Sequence, residues 1–189
     1  MPDAPYSLLA QLESVKDKAR PPIHLWNPDN VKDIDMEIRK DGAWFYMGTP
    51  IERIRLVRLF STVLRREADD YFLVTPVEKC RIRVEDVPFQ AILLNVLGEG
   101  SAQSLQFTTN VGEEVVAGID HPVRVAIDPD SDEPSPYVGV RDGLEARISR
   151  SVYYQLAELL VEREIDGRIW MGVFSEGEFF PFIAKDRLA

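Results

Sequence analysis

The chain has 189 residues, 45% of them hydrophobic and 29% charged, and a formal net charge of −10. Such a chain fits one well-buried core or two small linked ones. The acidic balance excludes a general, sequence-independent grip on nucleic acid, which needs a basic surface to displace counterions. It leaves room for one small anion held by a local arginine cluster, because charge acts at short range in salt.

From the N-terminus, Met1-Pro2-Asp3-Ala4-Pro5 has neither a basic nor an apolar run, so no signal peptide is expected. Ser7 to Ala19 predicts an amphipathic helix, with Leu8, Leu12, Val15 and Ala19 at helical spacing. Arg20-Pro21-Pro22 ends it. Its narrow apolar stripe suits docking on the body or on a partner.

A first unit follows. Ile34, Met36 and Ile38 alternate with charged residues as in a half-buried strand, and Lys40-Asp41-Gly42 supplies a turn. Trp44 and Tyr46 lie in the returning strand. Thr49-Pro50-Ile51-Glu52 reads as a capped helix start, and the helix is expected to reach about Arg66. Tyr71 to Thr75 and Cys80 to Val84 are the next strands. Cys80 is the single cysteine, so no intrachain disulfide can form; this points to a reducing cytoplasm. Its cationic neighbours Lys79 and Arg81 would lower its pKa if it were accessible. The plainer role is a packed strand residue.

From Glu85 to Pro136 the pattern is all-β, with strands expected at Gln90–Leu97, Ser104–Asn110, Glu114–Gly118 and Val123–Ile127. Asp128 to Pro136 reads as an acidic, proline-rich exposed loop. Asp128, Asp130 and Asp132 alternate, but prolines stand where a calcium loop needs its glycine and late glutamate, so no metal site is expected. No zinc site is expected either, since His24 and His121 are far apart and no cysteine pair exists.

Tyr137 to Ile183 then repeats the order of Asp33 to Val84: strand, Asp-Gly turn, strand, capped helix, strand, turn, strand. Thr49 matches Ser149, Leu56 matches Leu156, Leu59 matches Leu159 and Thr75 matches Ser175. Two similar surfaces facing each other would create a seam suited to a ligand.

Three groups of residues are candidates for chemistry. Arg53 is placed by the expected helix on the face of Leu56, Val57 and Phe60, where a guanidinium requires a partner. It reads either as a structural ion pair or as an anion clamp. Thr75-Pro76-Val77-Glu78-Lys79 gathers a hydroxyl, a carboxylate and an ammonium in one turn, fit for a ligand or simply for water. Arg141, Arg147 and Arg150 with Tyr153 form a basic group near a helix start, where phosphate could meet arginine and a base could meet a ring. Glycine-rich phosphate loops and a G-x-S-x-G elbow are absent from the sequence. No cofactor is expected.

Tyr71-Phe72-Leu73-Val74-Thr75-Pro76-Val77-Glu78-Lys79, with Gly42-x-Trp44, Pro50-Ile51-x-Arg53 and Val84-Glu85-Asp86-Val87-Pro88-Phe89, resembles a bacterial family known only as domain-of-unknown-function family 1285. The resemblance runs over nearly the whole chain beyond about Ile23. It implies an α+β fold with a duplicated core and a C-terminal half like a pleckstrin-homology domain. It also implies a cleft at the domain interface for a nucleotide-based ligand, and a role in signal transduction. No enzymatic activity comes with it.

The expected architecture is therefore α+β: two packed halves, each a ββαββ repeat, the second enlarged by extra antiparallel strands into a curled sheet. The expected divisions are 1–22 for the N-terminal helix and linker, 23–89 for the first domain and 90–189 for the second. The expected function is a non-enzymatic regulator binding a small anionic, nucleotide-like ligand through Arg53, Thr75, Glu78, Lys79, Arg141, Arg147 and Tyr153. The alternatives are a protein-interaction module and, behind it, a hydrolase of phosphorylated or acyl substrates using Glu78 or Asp86 as base. No membrane span is expected.

Overall fold

A computed structural model of the chain describes residues 20–128 and 133–187, together with Ala10 and Leu12. Apart from those two residues, the expected N-terminal helix lies outside the described residues, as do Asp130 and Asp132 of the acidic loop. The chain divides into two compact units, Met1–Pro88 and Phe89–Ala189. Among the described residues no helix is long and apolar enough to cross a membrane.

The first unit is built on one six-stranded sheet with the order β3-β2-β1-β6-β5-β4. Strand β1 (Val31–Ile38) buries Met36 and Ile38 and turns Asp33, Asp35 and Glu37 to the other face. There they meet Arg81 and Arg83 of the parallel strand β6 (Lys79–Val84). Alternation thus sends apolar groups to the core and pairs opposite charges outside. Strand β2 (Trp44–Tyr46) pairs antiparallel with β1, Ile38 opposite Trp44, around a turn in which Gly42 has φ 82°.

Thr49 does not cap a helix. It lies with Pro50 in a short strand, β3 (Thr49–Pro50), paired with β2 through a two-residue turn at Met47 and Gly48, with φ of 48° and 75°. Both residues are left-handed, as a tight hairpin demands. Methionine at the first position hides that turn from a sequence reading. Helix α1 (Ile54–Thr62) starts later, capped at Arg53 without a side-chain bond, and packs Val57 and Phe60 into the core. Phe60 stacks on Trp44, ring centroids 6.2 Å apart.

The helix stops at Thr62, short of the expected Arg66. Ser61 and Thr62 turn their hydroxyls back onto Arg58 O and Leu59 O, at 2.7 Å each, which competes with the helical ladder. The β-branched Thr62 and Val63 further favour extended backbone. Leu64 then begins strand β4 (Leu64–Glu67), which pairs with β5 (Asp70–Val74), Leu64 opposite Leu73.

The second unit carries a six-stranded sheet of similar topology, ordered β10-β11-β12-β7-β8-β9. Its strands are β7 (Phe89–Leu97), β8 (Ser104–Thr109), β9 (Glu114–Val116), β10 (Val123–Ile127), β11 (Pro134–Arg141) and β12 (Leu144–Ile148). As in the first sheet, a single neighbouring pair is parallel, here β12 with β7. Helix α2 (Arg150–Glu158) follows β12 directly. Three strands complete the unit as a separate antiparallel sheet: β13 (Val161–Ile165), β14 (Arg168–Ser175) and β15 (Glu178–Ala184). The core is formed by Phe89, Leu105, Phe107, Val138, Ala146, Leu156 and Val173, all without exposed surface.

The class is α+β, and the described elements are mostly β with two α-helices, Ile54–Thr62 and Arg150–Glu158. The repeated order recurs with one more strand than expected after each helix, because both helices are nine residues long. The helix caps are Arg53 and Ser149, so the helices align four residues away from the register that pairs Leu56 with Leu156. Pairing diverges as well. In the first unit β6 returns beside β1, whereas in the second β15 stays in its own sheet and β7 takes the place beside β12.

Candidate functional site

Along β12, Leu144, Ala146 and Ile148 point inward while Glu145 and Arg147 point out. Period two therefore turns the half-buried Arg147 outward three residues before α2 begins. Ser149 caps that helix, its Oγ accepting from Val152 N at 3.4 Å. Helix α2 then carries Arg150, Tyr153 and Tyr154 around the same opening. With Glu133, Pro134 and Pro136 these residues line a cleft of about 390 Å³ inside the second unit.

Each side chain in the cleft is held. Arg147 lies directly across from Tyr137 in the β11–β12 ladder. Its Nη1 donates to Tyr137 Oη at 3.3 Å and its Nη2 to Ser135 Oγ at 2.8 Å. Arg150 Nε donates to Tyr154 Oη at 2.9 Å, one helical turn on. That bond, more than the charge of Glu133, raises the Arg150 pKa and keeps it a cation. Tyr153 stacks on Phe182 at 6.2 Å, and burial pushes its phenol up, so it stays neutral. Arg147 and Arg150 place two guanidiniums on this wall, with the Glu133 carboxylate beside them. Forked donors beside aromatic faces can take an anionic group and a flat ring together.

Of the seven residues singled out from the sequence, this cleft brings together Arg147 and Tyr153. Arg53 is exposed at the cap of α1 in extended backbone, not on the core-facing side. The late start of α1 removes the premise that its guanidinium needs a buried partner. Thr75 has no exposed surface, and its hydroxyl closes its own turn, accepting from Glu78 N and donating to Glu78 O at 3.1 Å each. Glu78 is buried and paired with Lys32 at 2.6 Å. Lys79 pairs with Glu67 at 2.7 Å and lies 4.5 Å from the Phe72 ring centroid. Arg141 is buried with its Nε and Nη2 on the Glu113 carboxylate at 3.0 to 3.1 Å.

The sequence reading passed over Tyr154 and Ser135. The spacing of Arg150 and Tyr154, four apart on a helix, is the signal that could have found the tyrosine. Ser135 enters only through strand pairing. Cys80 is buried, and desolvation, followed by the charge of Glu78, pushes its thiol up to about 11. The packed role prevails over the reactive one. Among the described residues no cluster of histidine, cysteine and acidic groups could hold a metal ion.

A family model for the N-terminal domain of DUF1285, a domain of unknown function, matches residues 21–87. The model for the C-terminal domain of the same family matches residues 88–182. The chain belongs to the DUF1285 family. It is similar to the crystal structure of a DUF1285 family protein from Silicibacter pomeroyi DSS-3, with 51% identity and a TM-score of 0.86, covering 96% of this chain and 97% of that one. A second such protein, from Shewanella baltica OS155, is 28% identical with a TM-score of 0.51, covering 65% of this chain and 90% of that one. No curated protein matches.

Proposed function

We propose that the chain is a non-enzymatic regulator that binds a small anionic, nucleotide-like ligand and acts in signal transduction. One observation supports this reading: Arg147, Arg150, Tyr153 and Tyr154 converge on a single cleft of about 390 Å³. That volume suits a small ligand. The guanidiniums take phosphate and a tyrosine face takes the base. The expected contribution of Arg53, Thr75, Glu78, Lys79 and Arg141 gives way to Arg150 and Tyr154, which share the cleft.

The test is calorimetry and thermal shift of the full chain against nucleotides, cyclic and linear dinucleotides and sugar phosphates. A ligand specific for the folded state stabilises it by about 2.7 kcal/mol at a hundredfold excess over its Kd. Arg150→Ala should weaken binding about tenfold, ~1.4 kcal/mol, with an unchanged circular dichroism spectrum. Absence of any saturable shift across the panel would sink the reading.

A protein-interaction role is the second reading. It is favoured by β7, which leaves Ile92, Leu93, Val96 and Leu97 exposed along one strand, apolar surface of the kind that interfaces use. The hydrolase reading gains nothing from Glu78, whose carboxylate is tied to Lys32.

A further inference from the structure

The second unit holds another cleft, of about 680 Å³, bounded by β10 on one side and by β14 and β15 on the other. Its walls are Val125, Ile127, Trp170, Phe182, Ile183 and Ala184. The alternation of β10 brings Val125 and Ile127 to one side of that strand. Trp170 and Ala184 are direct cross-strand partners in the β14–β15 ladder, so they share one face. Val125 and Ile127 on one side and Trp170 and Ile183 on the other are part-exposed, with Phe182 and Ala184 buried, so apolar side chains meet water on both sides of the slot, and displacing that water favours an apolar occupant.

Among the described residues, the charged groups lining it are Arg168 and Arg187. Arg168 is already neutralised: Asp186 accepts from its Nε at 3.1 Å and from its Nη2 at 2.7 Å. Arg187 has no hydrogen-bonded counter-ion among the described residues, yet it is near enough for its charge to act on the Asp186 carboxyl. Among the described residues, two guanidiniums and one carboxylate leave one net positive charge beside the apolar side chains of the slot.

We infer that this cleft binds an amphipathic monoanion, its single negative headgroup on Arg187 and its apolar chain or ring across Trp170. The chemistry separates it from the cleft beside α2. There two guanidiniums and two phenols suit a polar, phosphorylated ligand; here the part-exposed side chains of Val125, Ile127, Trp170 and Ile183 offer no partners to a nucleotide's hydroxyls and ring nitrogens. A cation is repelled by the arginines, and a neutral apolar molecule leaves Arg187 unused.

Trp170 supplies the readout. Decanoate, kept below its micelle concentration, should change the tryptophan emission of the full chain saturably, and Trp170→Phe should abolish that change. Arg187→Gln should weaken decanoate at least tenfold, decan-1-ol should bind at least tenfold more weakly than decanoate, and Val125→Trp should block the slot. Circular dichroism verifies that each variant is folded. The inference is overturned by an emission that decanoate leaves unchanged, by equal affinity for decanol and decanoate, or by full affinity in Arg187→Gln. The nucleotide panel reads the other cleft, so either result stands without the other.

Discussion

Gly172 shows what one side chain can decide. A Cβ there would lie 2.2 Å from Phe180 O and 2.7 Å from the Phe179 ring, beside the register shift where β14 and β15 pair. Backbone cannot yield as a flexible side chain can. Gly172→Ala should cost roughly 3 kcal/mol, read as a fall in Tm or in the denaturant midpoint. Ser175 is comparable: with no exposed surface, its Oγ accepts from Leu105 N at 2.9 Å and donates to Ala117 O at 2.7 Å. Ser175→Ala leaves a buried N–H without its partner and should cost about 1–3 kcal/mol. Cys80, with its thiol pushed up to about 11 by burial, should resist a thiol reagent at pH 8 until denaturant is added. The match of Thr75 with Ser175 was legible because both hydroxyls end the middle strand of a three-stranded meander. That one closes a local turn while the other ties separate strands together was not.

Elements repeat this division. Ser149 caps α2 as the sequence implies, since a serine before a helix meets the first free N–H groups whatever else surrounds it. Thr49 carries the same signal and is not a cap, because Met47-Gly48 folds it back onto β2. The two threonine-class positions therefore predict opposite outcomes. Ser149→Ala should cost ~1 kcal/mol and disturb the turn that carries Arg150, weakening any ligand of that cleft. Thr49→Ala, at an exposed position in a two-residue strand, should stay within about 0.5 kcal/mol. Equal losses in urea denaturation would contradict the assignment. The first helix is shorter than expected because Leu64 continues an apolar pattern that short segments share between helix and strand.

At the scale of the molecule, charge is arranged rather than merely abundant. In the first unit the Glu37 carboxyl is held low by hydrogen bonds from Arg39 and Arg83. Burial works against the Glu67 carboxylate, but bonds from Lys79 and Arg65 outweigh it and hold that carboxyl low as well. In the second unit Arg168 holds Asp186 low. A carboxyl with a depressed folded-state pKa adds stability above its ordinary range, and that stability is lost as pH falls through the depressed value. Tm should therefore hold near neutrality and drop below about pH 4. Glu67→Gln should lower Tm at pH 7 and flatten the acid limb. An unaltered acid limb would mean these pairs are screened by solvent, as exposed ion pairs often are.

What the sequence alone determined is local: the Asp-Gly and Gly-bearing turns, the alternation of β1 and β12, the cap at Ser149, the acidic balance and the recurring order of elements. These depend on neighbours within a few residues, where sterics and period leave few choices. The tertiary structure decided everything that joins distant segments. It set β6 beside β1 and β7 beside β12, opened a strand after each helix, hid Thr75, Glu78 and Arg141, and brought Ser135 and Tyr137 against Arg147. Pairing of strands is a contest among edges far apart in the chain, won by burial and backbone hydrogen bonds that no local pattern records.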